Sequence, residues 1–156
     1  LAATKKNGAT IYVDYAHTPD AIEVALKSLK PHILGKLIVI IGAGGERDEG
    51  KRPLMGTAAE QNSDLVIITD DNPRNEDPSA IHQMIKNGTQ NDNKVKVIAD
   101  RAEAILTAVD LLEVGDGLLI AGKGHETEQV IGENNFPFDD FEQASLSVAS
   151  LDGIEQ

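Results

Sequence analysis

The sequence predicts one α/β domain in which a mainly parallel sheet carries helices on both faces, a doubly wound arrangement. Three observations lead there. The runs 37–41, 65–69 and 117–121 are short, apolar and without alternation, as strands buried on both faces are. Segments with apolar residues at helical spacing lie between them, and that alternation of strand and helix implies parallel pairing. The length of 156 residues suits a single core.

The elements follow in order. Residues 9–13 are rich in β-formers and read as the first strand. Thr18 then offers an N-cap ahead of Pro19, whose fixed φ suits a first helical turn, and Ala21, Val24, Ala25, Leu26 and Leu29 recur at helical spacing. The strand at 37–41 leads through a glycine-rich loop, 42–50, to a helix over 53–61 carrying Leu54, Ala58 and Ala59. Strand 65–69 precedes a helix over 79–87. A shorter strand at 95–98 precedes an amphipathic helix capped by Asp100 and lined by Ala104, Ile105, Ala108, Val109 and Leu112. After strand 117–121 the pattern loosens: 128–138 alternates as an extended hairpin around 132–135, and a last helix covers 140–151. No repeat or linker interrupts residues 1–156, so they form one domain.

Composition narrows the function. Fourteen Lys+Arg against 26 Asp+Glu leave a formal charge of −12, which argues against nucleic acid as a partner, since phosphate backbones are bound by clustered cations. No cysteine is present, which excludes disulfides, thiolate metal sites and a cysteine nucleophile and fits a reducing compartment. No apolar run reaches the roughly 20 residues that span a bilayer. The expectation is a cytoplasmic protein without membrane contact. Residue 1 is Leu rather than Met, so further sequence can lie upstream.

In such a fold the loops after strand C-termini converge on a ligand crevice. These are 14–19, 42–50, 70–77 and 122–128, and the densest polar cluster is Asp70-Asp71-Asn72-Pro73-Arg74. The stretch Gly45 to Lys51 has the spacing of a phosphate loop, but Arg52 stands where a hydroxyl should meet Mg²⁺, and Glu46, Asp48 and Glu49 would face phosphate oxygens. Arg47 reads better as a carboxylate-binding fork, or else as part of a solvated loop. Asp14 and His17 could meet a ribose and a ring, or Asp14 and Thr18 could simply satisfy backbone N–H groups. Lys123, His125 and Glu126 lie on a turn of strand-to-helix type; Glu126 could bind an ammonium, or the loop could be mobile with ordinary surface charges. His32 and His82 have no acidic or histidine partner at ligand spacing and read as structural or surface residues. The Asn87-Gly88-Thr89 sequon matters only in a secreted protein. No metal-ligating set is present. Arg47, Arg74, Glu126 and the Asn72 amide together suit a ligand with two carboxylates and an ammonium.

Five ordered segments resemble the C-terminal domain of the Mur ligases: 12–20, 42–53 with Gly-Ala-Gly-Gly-Glu-Arg-Asp, 69–74, 100–104 with Asp-Arg-Ala-Glu-Ala, and 121–126 with Ala-Gly-Lys-Gly-His-Glu. The likeness covers nearly the whole chain and is strongest to members that add meso-diaminopimelate. It implies a Rossmann-like domain that, with N-terminal UDP-sugar and central ATPase domains not in this sequence, forms an ATP-dependent ligase of peptidoglycan biosynthesis. There ATP phosphorylates the terminal carboxylate of UDP-N-acetylmuramoyl-dipeptide, and the amine of meso-diaminopimelate attacks the acyl phosphate. The same likeness implies that Arg47, Asn72, Arg74, Gly122 and Glu126 contact the amino acid, with Arg74 on its distal carboxylate. Asp14, Tyr15 and His17 would border ATP. The phosphate loop and Mg²⁺ ligands would lie outside this chain, which would hold no catalytic residue. Another Mur ligase, a folylpolyglutamate- or cyanophycin-type relative, and a non-catalytic binding module remain as alternatives.

Overall fold

The computed structural model describes residues 1–153. Its strands are β1 (Ala3–Thr4), β2 (Thr10–Asp14), β3 (Leu37–Ile41), β4 (Leu65–Ile68), β5 (Val95–Val97), β6 (Gly117–Ala121), β7 (Glu128–Ile131) and β8 (Asn134–Pro137). Its helices are α1 (Pro19–Leu29), α2 (Lys51–Gln61), α3 (Pro78–Lys86), α4 (Arg101–Leu111) and α5 (Asp140–Leu151), with 3-10 turns at Lys30–His32 and Asp92–Lys94. The main sheet runs β1-β2-β6-β3-β4-β5, all parallel except β1, which pairs antiparallel with β2 at the edge. The doubly wound expectation therefore holds, and β1 is an addition too short to show a pattern.

The period-2 pleat divides the central strands between two apolar layers. Leu37, Val39, Ile41, Val66, Ile68 and Leu119 face α1, α2 and α3 through Ile22, Leu26, Met55, Ala59, Ile81 and Ile85. Ile38, Ile40, Ile67, Leu118 and Ile120 face α4 and α5 through Ala104, Ile105, Ala108, Val109, Ala144 and Val148. Residues buried on alternate sides explain why these strands read as unbroken apolar runs.

Helix starts follow side-chain caps. Thr18 accepts from the Ala21 N–H, and Asp100 accepts from Glu103. Asp77 accepts from Ser79, so α3 begins at Pro78, one residue before its expected start. Helix α2 begins at Lys51, two residues early, because Arg52 points inward rather than into the loop. The tail forms the expected hairpin as a separate two-stranded sheet, β7 with β8, turning at Gly132-Glu133. The turn after β6 leads into this hairpin and not into a helix, correcting the strand-to-helix expectation for 122–126.

Candidate functional site

Because β2, β6, β3 and β4 are parallel, their C-terminal ends share one edge of the sheet, where a cavity of about 370 Å³ opens. It is lined by Tyr15 and His17 after β2, Arg47 after β3, Asn72 and Arg74 after β4, and Gly122 and Glu126 after β6. All five residues expected to meet an amino acid are thus brought together. Asp14 is not among them. It lines an adjoining groove of about 520 Å³ shared by Tyr15 and His17 and walled by Val24 and Leu29 of α1. Asp14 Oδ1 accepts from the Tyr15 N–H at 2.8 Å, the backbone-satisfying role weighed for it. Tyr15 is half-exposed and meets the His17 ring edge-on at 4.6 Å between centroids.

Glycines let the chain close around the cavity. A Cβ on Gly44 would stand 3.0 Å from Arg74 Nη1 and 3.3 Å from Arg47 Cγ, so the two guanidinium-bearing arms converge over this residue. A Cβ on Gly45 would overlap the carbonyl oxygen of Pro73, and the Gly45 N–H instead donates to Asn72 O at 2.7 Å. Arg74 has φ 54°, unusual for a side-chain-bearing residue. Its N–H donates to Val130 O at 3.1 Å and its carbonyl accepts from Gly132 at 2.6 Å, so the hairpin holds that conformation. Arg74 Nη1 donates to Gly45 O at 3.1 Å and Asn72 O at 3.3 Å, which orients the guanidinium along the rim.

A third arginine builds the frame. Arg52 is 1% exposed and meets Glu76 fork to fork, Nη1 to Oε2 at 2.5 Å and Nη2 to Oε1 at 2.9 Å, while Nη2 also donates to Gly44 O at 3.0 Å. Glu76 accepts further from the Glu46 N–H at 2.9 Å. The hydrogen bond from Arg52 first, then that from Glu46, lowers the Glu76 carboxyl from its ordinary 4.5 to about 2. The glycine-rich loop and the loop after β4 are thereby joined. Arg52 is buried and committed where a phosphate loop would present its hydroxyl, so the phosphate-loop spacing is coincidental.

The floor is ionic. Lys123 is fully buried, its Nζ 2.9 Å from Asn72 Oδ1, 2.9 Å from Glu128 O and 3.1 Å from Asp71 Oδ1. It is therefore no ordinary surface charge, contrary to the mobile-loop alternative, although His125 and Glu126 beside it are exposed. His125 stacks on Phe141 of α5, ring centroids 5.0 Å apart and 12° from parallel, and this steadies the loop that carries Glu126. Buried Asp71 adds a carboxylate beside the Glu126 loop; its Oδ2 would lie 3.3 Å from a Cβ on Gly122.

Behind the floor, Arg101 is buried against Asp140 and donates to the carbonyls of Asp70 and Ala121. His82 is also buried and has an acidic partner after all, Asp70 Oδ1 at 2.6 Å, supplied by packing and not by spacing. His32 is exposed. The sequence placed Asp71 and Lys123 on crevice loops without giving either a role, and it gave none to Arg101 or Asp140. Their one advance signal was position, at strand ends or the first turns of helices. No cluster of His, Cys, Asp and Glu suited to a metal occurs among the described residues, and no helix there is long and apolar enough to cross a membrane.

Residues 2–124 match the family described as Mur ligase, glutamate ligase domain. The chain is 52% identical over 146 residues to the UDP-N-acetylmuramoyl-L-alanyl-D-glutamate--2,6-diaminopimelate ligase of Bradyrhizobium diazoefficiens, covering 94% of this chain and 30% of that protein. It is 55% identical over 138 residues to the ligase of the same name from Coxiella burnetii, covering 88% and 28%. A solved structure of a ligase of that name superposes with a TM-score of 0.87 at 43% identity, over 90% of this chain and 29% of the other. The folylpolyglutamate synthase of Mycobacterium tuberculosis shares the fold, with a TM-score of 0.55 at 18% identity. The chain spans just under a third of the length of these relatives.

Proposed function

Since the chain belongs to the Mur ligase family, through that family's C-terminal glutamate ligase domain, we propose that it is the amino-acid-presenting domain of an ATP-dependent ligase that joins meso-diaminopimelate to UDP-N-acetylmuramoyl-L-alanyl-D-glutamate in peptidoglycan synthesis. The observation that carries this reading is the convergence of Arg47 and Arg74 over Gly44, in a cavity also lined by Glu126 and Asp71. Two guanidiniums and two carboxylates suit a doubly zwitterionic amino acid, and a bidentate arginine rewards a distal carboxylate that lysine lacks.

This chain's part is to bind and orient. Arg47, Asn72 and Arg74 donate to carboxylates, while Glu126 and Asp71 accept from ammonium groups. The amine that is held as a free base attacks the acyl phosphate of the dipeptide, a C–N bond forms and phosphate leaves. ATP would supply the phosphoryl group and Mg²⁺ would screen it, with the phosphate loop and metal ligands in the rest of the enzyme. Asp14, Tyr15 and His17 form a polar and aromatic edge that fits a nucleoside, with the His17 Nδ1 turned to Tyr15 O at 2.9 Å and the far side of its ring free for contact. Dependence on ATP assigns the reaction to the cytoplasm. Calorimetry of this chain with meso-diaminopimelate and with lysine tests the reading: saturable binding of the first and at least tenfold weaker binding of the second is expected, and equal affinities would refute it.

A further inference from the structure

Asn72 lines the cavity, but its side-chain oxygen is not available to a ligand. Oδ1 receives the Lys123 ammonium at 2.9 Å and the Val130 N–H at 2.9 Å. Both neighbours can only donate, so the atom between them must be the oxygen and the amide has one permitted orientation. A flip would set the NH₂ group against an ammonium and a backbone N–H inside a buried pocket, leaving donors unpaired at substantial cost. Nδ2 is left without a protein acceptor among the described residues, on a side chain that borders the cavity.

We propose that Lys123 is a positioning residue for ligand recognition, acting by locking the Asn72 amide so that only its N–H donors face the cavity. The point of the site occupied by Asn72 then accepts a carboxylate oxygen and rejects an ammonium. Left free to flip, an asparagine would tolerate either. Lys123 suits the task because its ammonium is fully buried, donates to Asn72 Oδ1 and Glu128 O, and is held by the charge of Asp71 with Oδ1 at 3.1 Å. It also joins the loops after β4 and β6 and the hairpin strand β7. The assignment of the ligand rests on the function proposed above, whereas the amide orientation stands independently of it.

The test has two arms. In the unaltered, ligand-free chain, NMR should detect scalar coupling across the hydrogen bond from the Val130 ¹⁵N to the Asn72 ¹³Cγ. Its absence overturns the proposal. In Lys123→Met that coupling should vanish or the Asn72 NH₂ signals should double, and the dissociation constant for meso-diaminopimelate should rise at least tenfold; retention of both within twofold also overturns it. Should Lys123→Met fail to fold, Asn72→Asp keeps the Lys123 and Val130 contacts while replacing the cavity-facing donors by an oxygen. At least tenfold weaker binding is expected there, and unchanged affinity refutes the donor role. Failure of the unaltered chain to bind meso-diaminopimelate would remove the substrate reading and leave the coupling to decide the orientation.

Discussion

Arg101 and Asp140 meet fork to fork with both side chains fully buried, Nε to Oδ1 at 2.8 Å and Nη2 to Oδ2 at 2.7 Å. Burial opposes the guanidinium charge, but the hydrogen bonds and field of Asp140 outweigh it and hold Arg101 more basic than usual. Asp140→Ala leaves a buried cation uncompensated and should cost about 3–5 kcal/mol in urea unfolding, whereas Arg101→Met with Asp140→Leu should cost less than either single change. A single-variant loss below about 1 kcal/mol, the range of surface pairs, would contradict the buried-pair account.

Glu76 gives the fold an acid-sensitive joint. Its carboxyl is lowered in the folded state to about 2 from an ordinary 4.5, so its contribution is fully present above about 4.5 and is lost as pH falls toward 2. Denaturant titrations of the unaltered chain and Glu76→Gln should therefore differ most near neutral pH and converge between those two values. A stability difference constant across that window would exclude Glu76 as the group responsible.

Arg74→Ala, made in the longer ligase of which this chain is proposed to be part, should lose about 2–5 kcal/mol of preference for meso-diaminopimelate over lysine, the cost of stranding a buried carboxylate. The measurement is the ratio of kcat/KM for the two amino acids. An unchanged ratio would place the distal carboxylate elsewhere.

The chain on its own should make no tripeptide. The one loop with phosphate-loop spacing has Arg52 committed to Glu76 where a hydroxyl would meet Mg²⁺. Product formed from ATP, UDP-N-acetylmuramoyl-dipeptide and meso-diaminopimelate by the purified chain, detected by mass spectrometry, would refute the division of labour between domains.

The main sheet was readable because burial on both faces writes itself into runs such as Leu37–Ile41, and the caps Thr18 and Asp100 mark helix starts chemically. The cavity was readable because strand direction sends Arg47, Arg74 and Glu126 to one edge. What stayed hidden was set by packing between distant segments. Asp70 and His82 are twelve positions apart, Lys123 and Asn72 fifty-one, and nothing local announces either contact. A lone buried lysine looks like any surface lysine until its neighbours are known. The short β1 was hidden for the opposite reason, since two residues are too few to display a period.

Among the described residues the hairpin of β7 and β8 shares no ladder with the main sheet; its bridge from Ile131 reaches Arg74 in the loop after β4, and it lies past the residues matched by the family. Yet it fixes the backbone of Arg74 and, through Val130, the amide of Asn72. The backbone of Arg74 and the amide of Asn72 are thus set by a segment that lies outside the two apolar layers of the sheet. On the proposed function, substitutions in this appendage would shift ligand preference more than they shift the stability of the sheet.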